Sequence, residues 1–198
     1  MSPRTSEQFQ TLRARSRAKI LAAALELFGT RGVEGTSMEQ VASRARVSKG
    51  LIYNHFPSKK RLLEAVLRRG IDDVRKGVRI PPGGIDSPDA MAEFIHRMFA
   101  LVRKRAAVLR LYVSIMTEPI VMRRFKNLLV EVGDETDHFL ARGLRLCGWA
   151  DPEGEAQLFH AMLDGILLHY LLGGGRYPLE TVRARIIERY ARRTEETA

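Results

Sequence analysis

Apolar residues recur along this chain at intervals of three and four, the period of helices laid against a core, and no stretch alternates convincingly as a strand would. Ile20, Ala23, Ala24, Leu27 and Phe28 form one such stripe, predicting a helix over 9–31 that stops near Gly32. Thr36 followed three residues later by Glu39 is a capping-box signature. It opens a short helix whose inner face is Val41, Ala42 and Ala45. Ser48 is the expected N-cap of a third helix, 48–55, anchored on one side by Ile52 and Phe56. Pro57 and Ser58 end it and begin a long fourth, 58–79, with Leu63, Leu67, Ile71, Val74 and Val78 at helical spacing.

Pro81, Pro82, Gly83 and Gly84 then break the pattern. Ser87 before Pro88 restarts a helix in the N-cap/N1 arrangement. Helical stretches follow over 88–117, with a break near Arg105, and over 119–147. Asp151-Pro152 caps another, and Pro178 opens the last. There is no internal repeat and no low-complexity segment. The expected fold is all-α, about nine helices: a three-helix N-terminal domain, 1–60, and a larger helical domain, 61–198, joined through the helix at 58–79.

Composition changes this picture little; the location of charge changes it a good deal. Of 198 residues 45% are hydrophobic and 28% charged, as in ordinary folded proteins. The N-terminal "MSPRTSEQFQ" is polar, without the apolar core of a signal peptide. The most apolar run, "GILLHYLLGGG", is too short to span a membrane. A single cysteine, Cys147, makes no internal disulfide and fits a reducing cytoplasm. The formal net charge is +10, yet residues 81–198 hold 16 Lys+Arg and 16 Asp+Glu. The whole excess belongs to residues 1–80, with 17 basic against 7 acidic side chains. Positive charge gathered on one domain is the footprint of a polyanion partner.

The two short helices, 37–45 and 48–55, joined by a tight turn, make a helix-turn-helix, whose second helix enters the major groove of DNA. The residue types suit that work. Lys49 can reach a phosphate or a guanine edge, and Gly50 removes a side chain where backbone approaches the duplex. Tyr53, Asn54 and His55 offer hydrogen bonds, and Lys59 can hold a phosphate. Thr36 and Ser37 combine hydroxyls with free backbone N–H groups at a helix start, a ready anion site. The bland alternative is a small solvated helix whose lysines face water.

"RAKILAAALELFGTRG", "TSMEQVASRA" and "VSKGLIYNHFPSKKRLLEAV" together resemble the N-terminal domain of TetR/AcrR-family transcriptional regulators over residues 15–68. The resemblance implies DNA-contact roles for Ser48, Lys49, Gly50, Tyr53, His55 and Lys59, and packing roles for Val47, Ile52 and Phe56. Two positions depart from the family pattern. Arg46 stands where the turn usually has glycine, so the turn is adjusted, strained or partly repaid by a phosphate contact. Leu51 occupies a position that is usually polar and base-facing; it either meets a thymine methyl or packs. Arg13, Arg15, Arg17 and Lys19 lie close to where family members meet the DNA backbone, and otherwise form a solvated face.

In the neutral half, "LFHAMLDGILLHYLL" (158–172) is apolar almost all round and must be buried on more than one side. Ala161 and Gly165, four apart, permit close helix approach. Together with Ile166, His169 and, on the last helix, Val182, Ile186 and Tyr190, they are the expected dimer surface; burial within one protomer is the alternative. In the resembled family the last two helices pair with a partner's, and two-fold symmetry then requires an operator with two related half-sites. Phe94, Met98, Tyr112, Met116, Phe125, Phe159 and Met162 are candidates for an adaptable apolar ligand cavity, or are plain core. The resemblance implies a small-molecule effector there without naming it.

Other chemistry is not expected. His160 and Asp164 share a helical face, but His169 lies half a turn away and completes no metal site with them. Asp134, Glu135, Asp137 and His138 form a charge run of the solvated kind. Cys147 has no activating histidine on its helix face. No cofactor and no membrane association are expected. The sequence reads as a homodimeric, ligand-responsive DNA-binding transcriptional regulator, in the sense of a repressor. The alternatives are a ligand-independent DNA-binding or architectural protein, or an activator; a helical enzyme lacks convergent catalytic groups.

Overall fold

Nine α-helices and one short 3-10 turn, with no strand, make up the described residues of the computed structural model, 6–78 and 84–191. The first four are α1 (Ser6–Arg31), α2 (Met38–Ala45), α3 (Lys49–His55) and α4 (Lys59–Val78). They are followed by α5 (Pro88–Lys104), α6 (Ala106–Thr117) and α7 (Pro119–Leu146). Then come α8 (Pro152–Gly173), the 3-10 turn (Gly174–Arg176) and α9 (Leu179–Tyr190). The break expected near Arg105 is real, and Arg105 caps α5 while preceding α6. The proline and glycine run from Pro81 to Gly83 lies outside the described residues.

Two apolar cores organise these helices. The first gathers Ile20, Ala24, Leu27 and Phe28 of α1 with Val41, Ile52, Phe56, Leu62 and Val66. It also takes in Leu111 and Ile115 of α6 and Val121 and Phe125 of α7. The second collects Met91, Ile95 and Phe99 of α5 with Leu140 and Leu144 of α7, Phe159 of α8 and Tyr190 of α9. The first core thus reaches beyond residue 60, taking in α6 and the start of α7.

Gly29 shows how closely α1 and α6 approach. A Cβ there would stand 3.1 Å from the Ala107 carbonyl oxygen, so the missing side chain is what allows backbone to approach backbone. Phe125, expected beside Phe94 and Phe159, belongs instead to the first core, together with Val121 of the same α7 turn and Leu111 and Ile115 of α6.

Candidate nucleic-acid interface

Helix α2 begins one residue later than its sequence signature indicates. Ser37, not Thr36, is the N-cap: the Gln40 N–H donates to Ser37 Oγ (3.2 Å), and the Ser37 N–H donates to Gln40 Oε1 (2.8 Å). This is the reciprocal capping box, built on Gln40 rather than Glu39. Thr36 is 1% exposed, and its hydroxyl donates to Gly32 O (2.9 Å) and Leu27 O (3.3 Å). It closes the end of α1 from inside the fold, so the phosphate contact expected of its side chain is not available.

Between α2 and α3 the Arg46 N–H donates to Ser43 O (3.1 Å) and the Val47 N–H to Ala42 O (3.0 Å), the Schellman arrangement. Arg46 adopts φ 55° and ψ 48°, the left-handed conformation that glycine takes without steric cost. Among the described residues it is the one non-glycine at positive φ. The side chain is exposed, so its charge stays on the surface of the turn.

Helix α3 starts on Ser48, whose Oγ accepts from the Leu51 N–H (3.2 Å). Ile52 is buried, and so is Phe56 just past the helix end; they seat α3 in the first core. Lys49, Gly50, Tyr53 and Asn54 are exposed on the other face, Leu51 is half-buried, and a Cβ on Gly50 would meet nothing within 4 Å. Tyr53 keeps 39% of its surface exposed, a large aromatic left uncovered at the centre of a polar face. A short helix displaying an aromatic, an amide and a lysine beside a glycine has the chemistry to read base edges and hold phosphates.

Three of the cationic or titratable groups in this region already have partners inside the protein. Lys49 Nζ lies 2.8 Å from Glu39 Oε1, and the hydrogen bond and charge of Glu39 raise the lysine pKa. The Lys59 ammonium donates to Val33 O (3.0 Å), tying the first turn of α4 to the loop after α1, with Glu34 3.7 Å away. Phosphate contact by Lys59 therefore competes with an internal hydrogen bond. His55 Nε2 is 2.8 Å from Ser16 Oγ of α1, and the ring is half-buried. Burial first, then the charges of Arg13 and Arg17, lower the His55 pKa.

Arg17 also lies over the Phe56 ring, 5.3 Å from its centroid. Arg13 and Arg17, four apart on α1, both act on His55, whereas Arg15 and Lys19 project elsewhere by helical geometry. Along the sequence the four look alike. The pairing of Glu39 with Lys49 is not legible there either, because a contact between two helices leaves no mark in local spacing.

In the larger half Phe94 meets Phe139 and Phe159 with ring centroids 5.6 and 6.3 Å apart, and Met98 and Met162 pack partly buried on the same core. Tyr112 donates to Asp164 Oδ1 (2.9 Å), bridging α6 and α8; burial first, then the Asp164 charge, push its phenol well up. His160 pairs with Asp137 of α7 at 2.6 Å. The Met116 side chain lies outside the described residues.

Of the expected dimer residues, Ile166 and Ile186 are buried within the protomer's own core, and Tyr190 is fully enclosed there between Trp149 and Phe159. Their packing is within the protomer. Exposure falls instead on a stripe of α8: Leu158, Ala161, Leu168 and Leu172, with space open above Gly165. Leu172 is 74% exposed. His169 is exposed and stacks on Tyr177, and Val182 is half-buried.

Residues 20–66 match the family model for bacterial regulatory proteins of the tetR family, and residues 86–194 match that for the tetracyclin repressor-like C-terminal domain. The HTH-type transcriptional regulator UidR of Escherichia coli K12 is 31% identical over 125 residues, covering 61% of this chain and 62% of UidR. The chain spans less than two thirds of the length of the curated relatives it matches. A transcriptional regulator from Rhodococcus sp. Rha1 superposes with TM-score 0.76 at 22% identity, covering 88% of this chain and 93% of that one. AibR, solved with isovaleryl coenzyme A and operator DNA, superposes with TM-score 0.66 at 21% identity, covering 88% and 97%.

Proposed function

Because the chain belongs to the tetR family of bacterial regulatory proteins, we propose that it is a homodimeric transcriptional repressor whose α3 lodges in the major groove of a near-palindromic operator. The observation that carries this reading is the outward face of α3, where Lys49, Gly50, Tyr53 and Asn54 stand exposed on a helix pinned from behind by Ile52. Ser37, Arg46 and Ser48 flank that face and suit phosphate contact. Leu51, half-buried, lies at the edge of it. His55 and Lys59 act chiefly by holding α1, α3 and α4 together, as their internal partners indicate.

Dimerisation uses the exposed α8 stripe of Leu158, Ala161, Gly165, Leu168 and Leu172. Apolar side chains at helical spacing on one open face are what a partner helix covers. A small apolar molecule entering among Phe94, Met98, Phe159 and Met162 shifts α6 and α8 through Tyr112 and Asp164, and α6 carries the shift into the first core through Leu111 and Ile115. AibR, solved in complex with isovaleryl coenzyme A and operator DNA, supports an effector site in a protein of this fold. A hundredfold loss of operator affinity needs about 2.7 kcal/mol of differential binding, within reach of a few buried apolar contacts. The protein acts in the cytoplasm and needs no catalytic step.

Footprinting on the DNA flanking its own gene tests the reading. A protected near-palindrome is the expected result. Failure of the purified protein to bind any double-stranded DNA in dilute buffer overturns it. Thermal-shift screening of small molecules separates an effector-responsive regulator from an architectural protein, which gains no ligand stabilisation.

A further inference from the structure

Glu39 is an anion on the surface proposed to meet a polyanion. It is the second residue of α2, and its carboxylate lies 2.8 Å from the Lys49 ammonium on α3. Both side chains are more than half exposed, at 52% and 68%, so the pair sits on the outer rim of the helix-turn-helix rather than in its packing. Lys49 holds the carboxyl below its usual range, with the residue's own backbone N–H and the Ser37 hydroxyl adding to the effect. Glu39 is therefore a full negative charge at neutral pH, placed beside the N-terminus of α2 where phosphate was expected. By contrast Arg44, also on α2, is paired with Glu26 of α1 and leaves Glu39 to Lys49 alone among the ion pairs described.

We propose that Glu39 is a specificity-determining residue: it restrains Lys49 on non-operator DNA and is satisfied at the operator by the amino group of a cytosine. The inference rests on the DNA-binding reading above. On DNA of arbitrary sequence Lys49 divides its ammonium between Glu39 and a phosphate, which weakens its hold on the phosphate and leaves the carboxylate facing the field of the duplex. That repulsion applies at every sequence. It is offset only where the groove presents a hydrogen-bond donor to the carboxylate. Cytosine N4 supplies such a donor, and a carboxylate accepting from it is an established pairing type. Adenine N6 is a poorer match because the acceptor N7 lies beside it, and guanine and thymine edges present acceptors that repel the charge. Glu39 thus turns a sequence-independent penalty into a preference at one base pair of each half-site.

The test uses the full-length protein and its Glu39→Gln variant, in two measurements. The first is affinity for a mixed-sequence duplex across a range of salt. The second is selection of sequences from a randomised duplex library. For Glu39→Gln the expected results are a roughly two- to fivefold gain on mixed-sequence DNA, the size of an exposed ion pair, and loss of a C·G preference at one position of each selected half-site. Both are required. A selected motif that is unchanged, or a mixed-sequence affinity that does not rise, overturns the inference while leaving the DNA-binding reading intact. A wild-type protein that selects nothing and binds no duplex at low salt overturns that reading instead. Glu39→Ala repeats both measurements if the glutamine variant fails to melt as a folded protein.

Discussion

Ser16 Oγ and His55 Nε2 lie 2.8 Å apart, 39 positions removed in sequence, and join the exposed first half of α1 to the end of the recognition helix. The Ser16 hydroxyl already donates to the Arg13 carbonyl (2.9 Å), so its oxygen accepts from the Nε2–H of His55. Protonating this imidazole adds a charge beside Arg13 and Arg17, in a setting that burial already disfavours.

The pH dependence of stability follows with a definite sign. A histidine whose folded pKa lies below its unfolded one is neutral in the native state, and protonation favours unfolding. Its contribution is fully present above the unfolded value of about 6.5 and is lost as pH falls through the lower folded value. Thermal melts are expected to show Tm falling below pH 6.5 in the wild type, and falling less in His55→Gln. Parallel pH profiles for the two proteins would remove the assignment.

Arg46→Gly relieves a left-handed residue. The gain is about 1 kcal/mol, which for a domain of this size is roughly 2–4 °C in Tm. Differential scanning calorimetry measures it directly. No gain in Tm means that the arginine makes compensating contacts in the turn.

Thr36→Val deletes a buried donor while keeping the shape of the side chain. It leaves the Gly32 and Leu27 carbonyls without their hydroxyl partner, at a cost of about 1–2 kcal/mol. DNA affinity, measured below the melting transition, is expected to stay as in the wild type. A large affinity loss in a fully folded variant would restore the phosphate role that burial argues against.

Tyr53→Ala is expected to behave in the opposite way. The ring is 39% exposed and belongs to neither apolar core, so stability should move by no more than about 0.5 kcal/mol. Electrophoretic mobility shift should show weaker binding to all duplexes. Unchanged binding would displace Tyr53 from the proposed interface.

Leu168→Asp puts a charge in the middle of the α8 stripe. Sedimentation analysis should show the dimer shifted to monomer, and operator affinity should fall with it because two half-sites are no longer bound together. Ile186→Val, inside the protomer core, should cost about 1 kcal/mol of stability and leave the dimer intact. If the Asp variant remains fully dimeric, the interface lies elsewhere.

The sequence by itself determined a good deal here: the all-helical class, the positions of nearly every helix, the helix-turn-helix, and the gathering of positive charge in the first eighty residues. Period, capping residues and charge blocks are local quantities, and they survive in the order of the letters. The left-handed Arg46 was legible for the same reason, since it stands where the family resemblance calls for glycine. Only the tertiary structure decided which polar groups remain free. Thr36 and Ser37 are adjacent and both hydroxylated, yet one faces the end of α1 and the other caps α2. Lys59 meets Val33, His55 meets Ser16 and Lys49 meets Glu39 across gaps that no helical period encodes. Ile186 and Tyr190 share the spacing expected of an interface, but α5, Trp149 and Phe159 of α8 close over that part of α9, while Leu158, Leu168 and Leu172 are left open. Burial depends on what arrives from distant parts of the chain, and that arrangement is a property of the packed molecule.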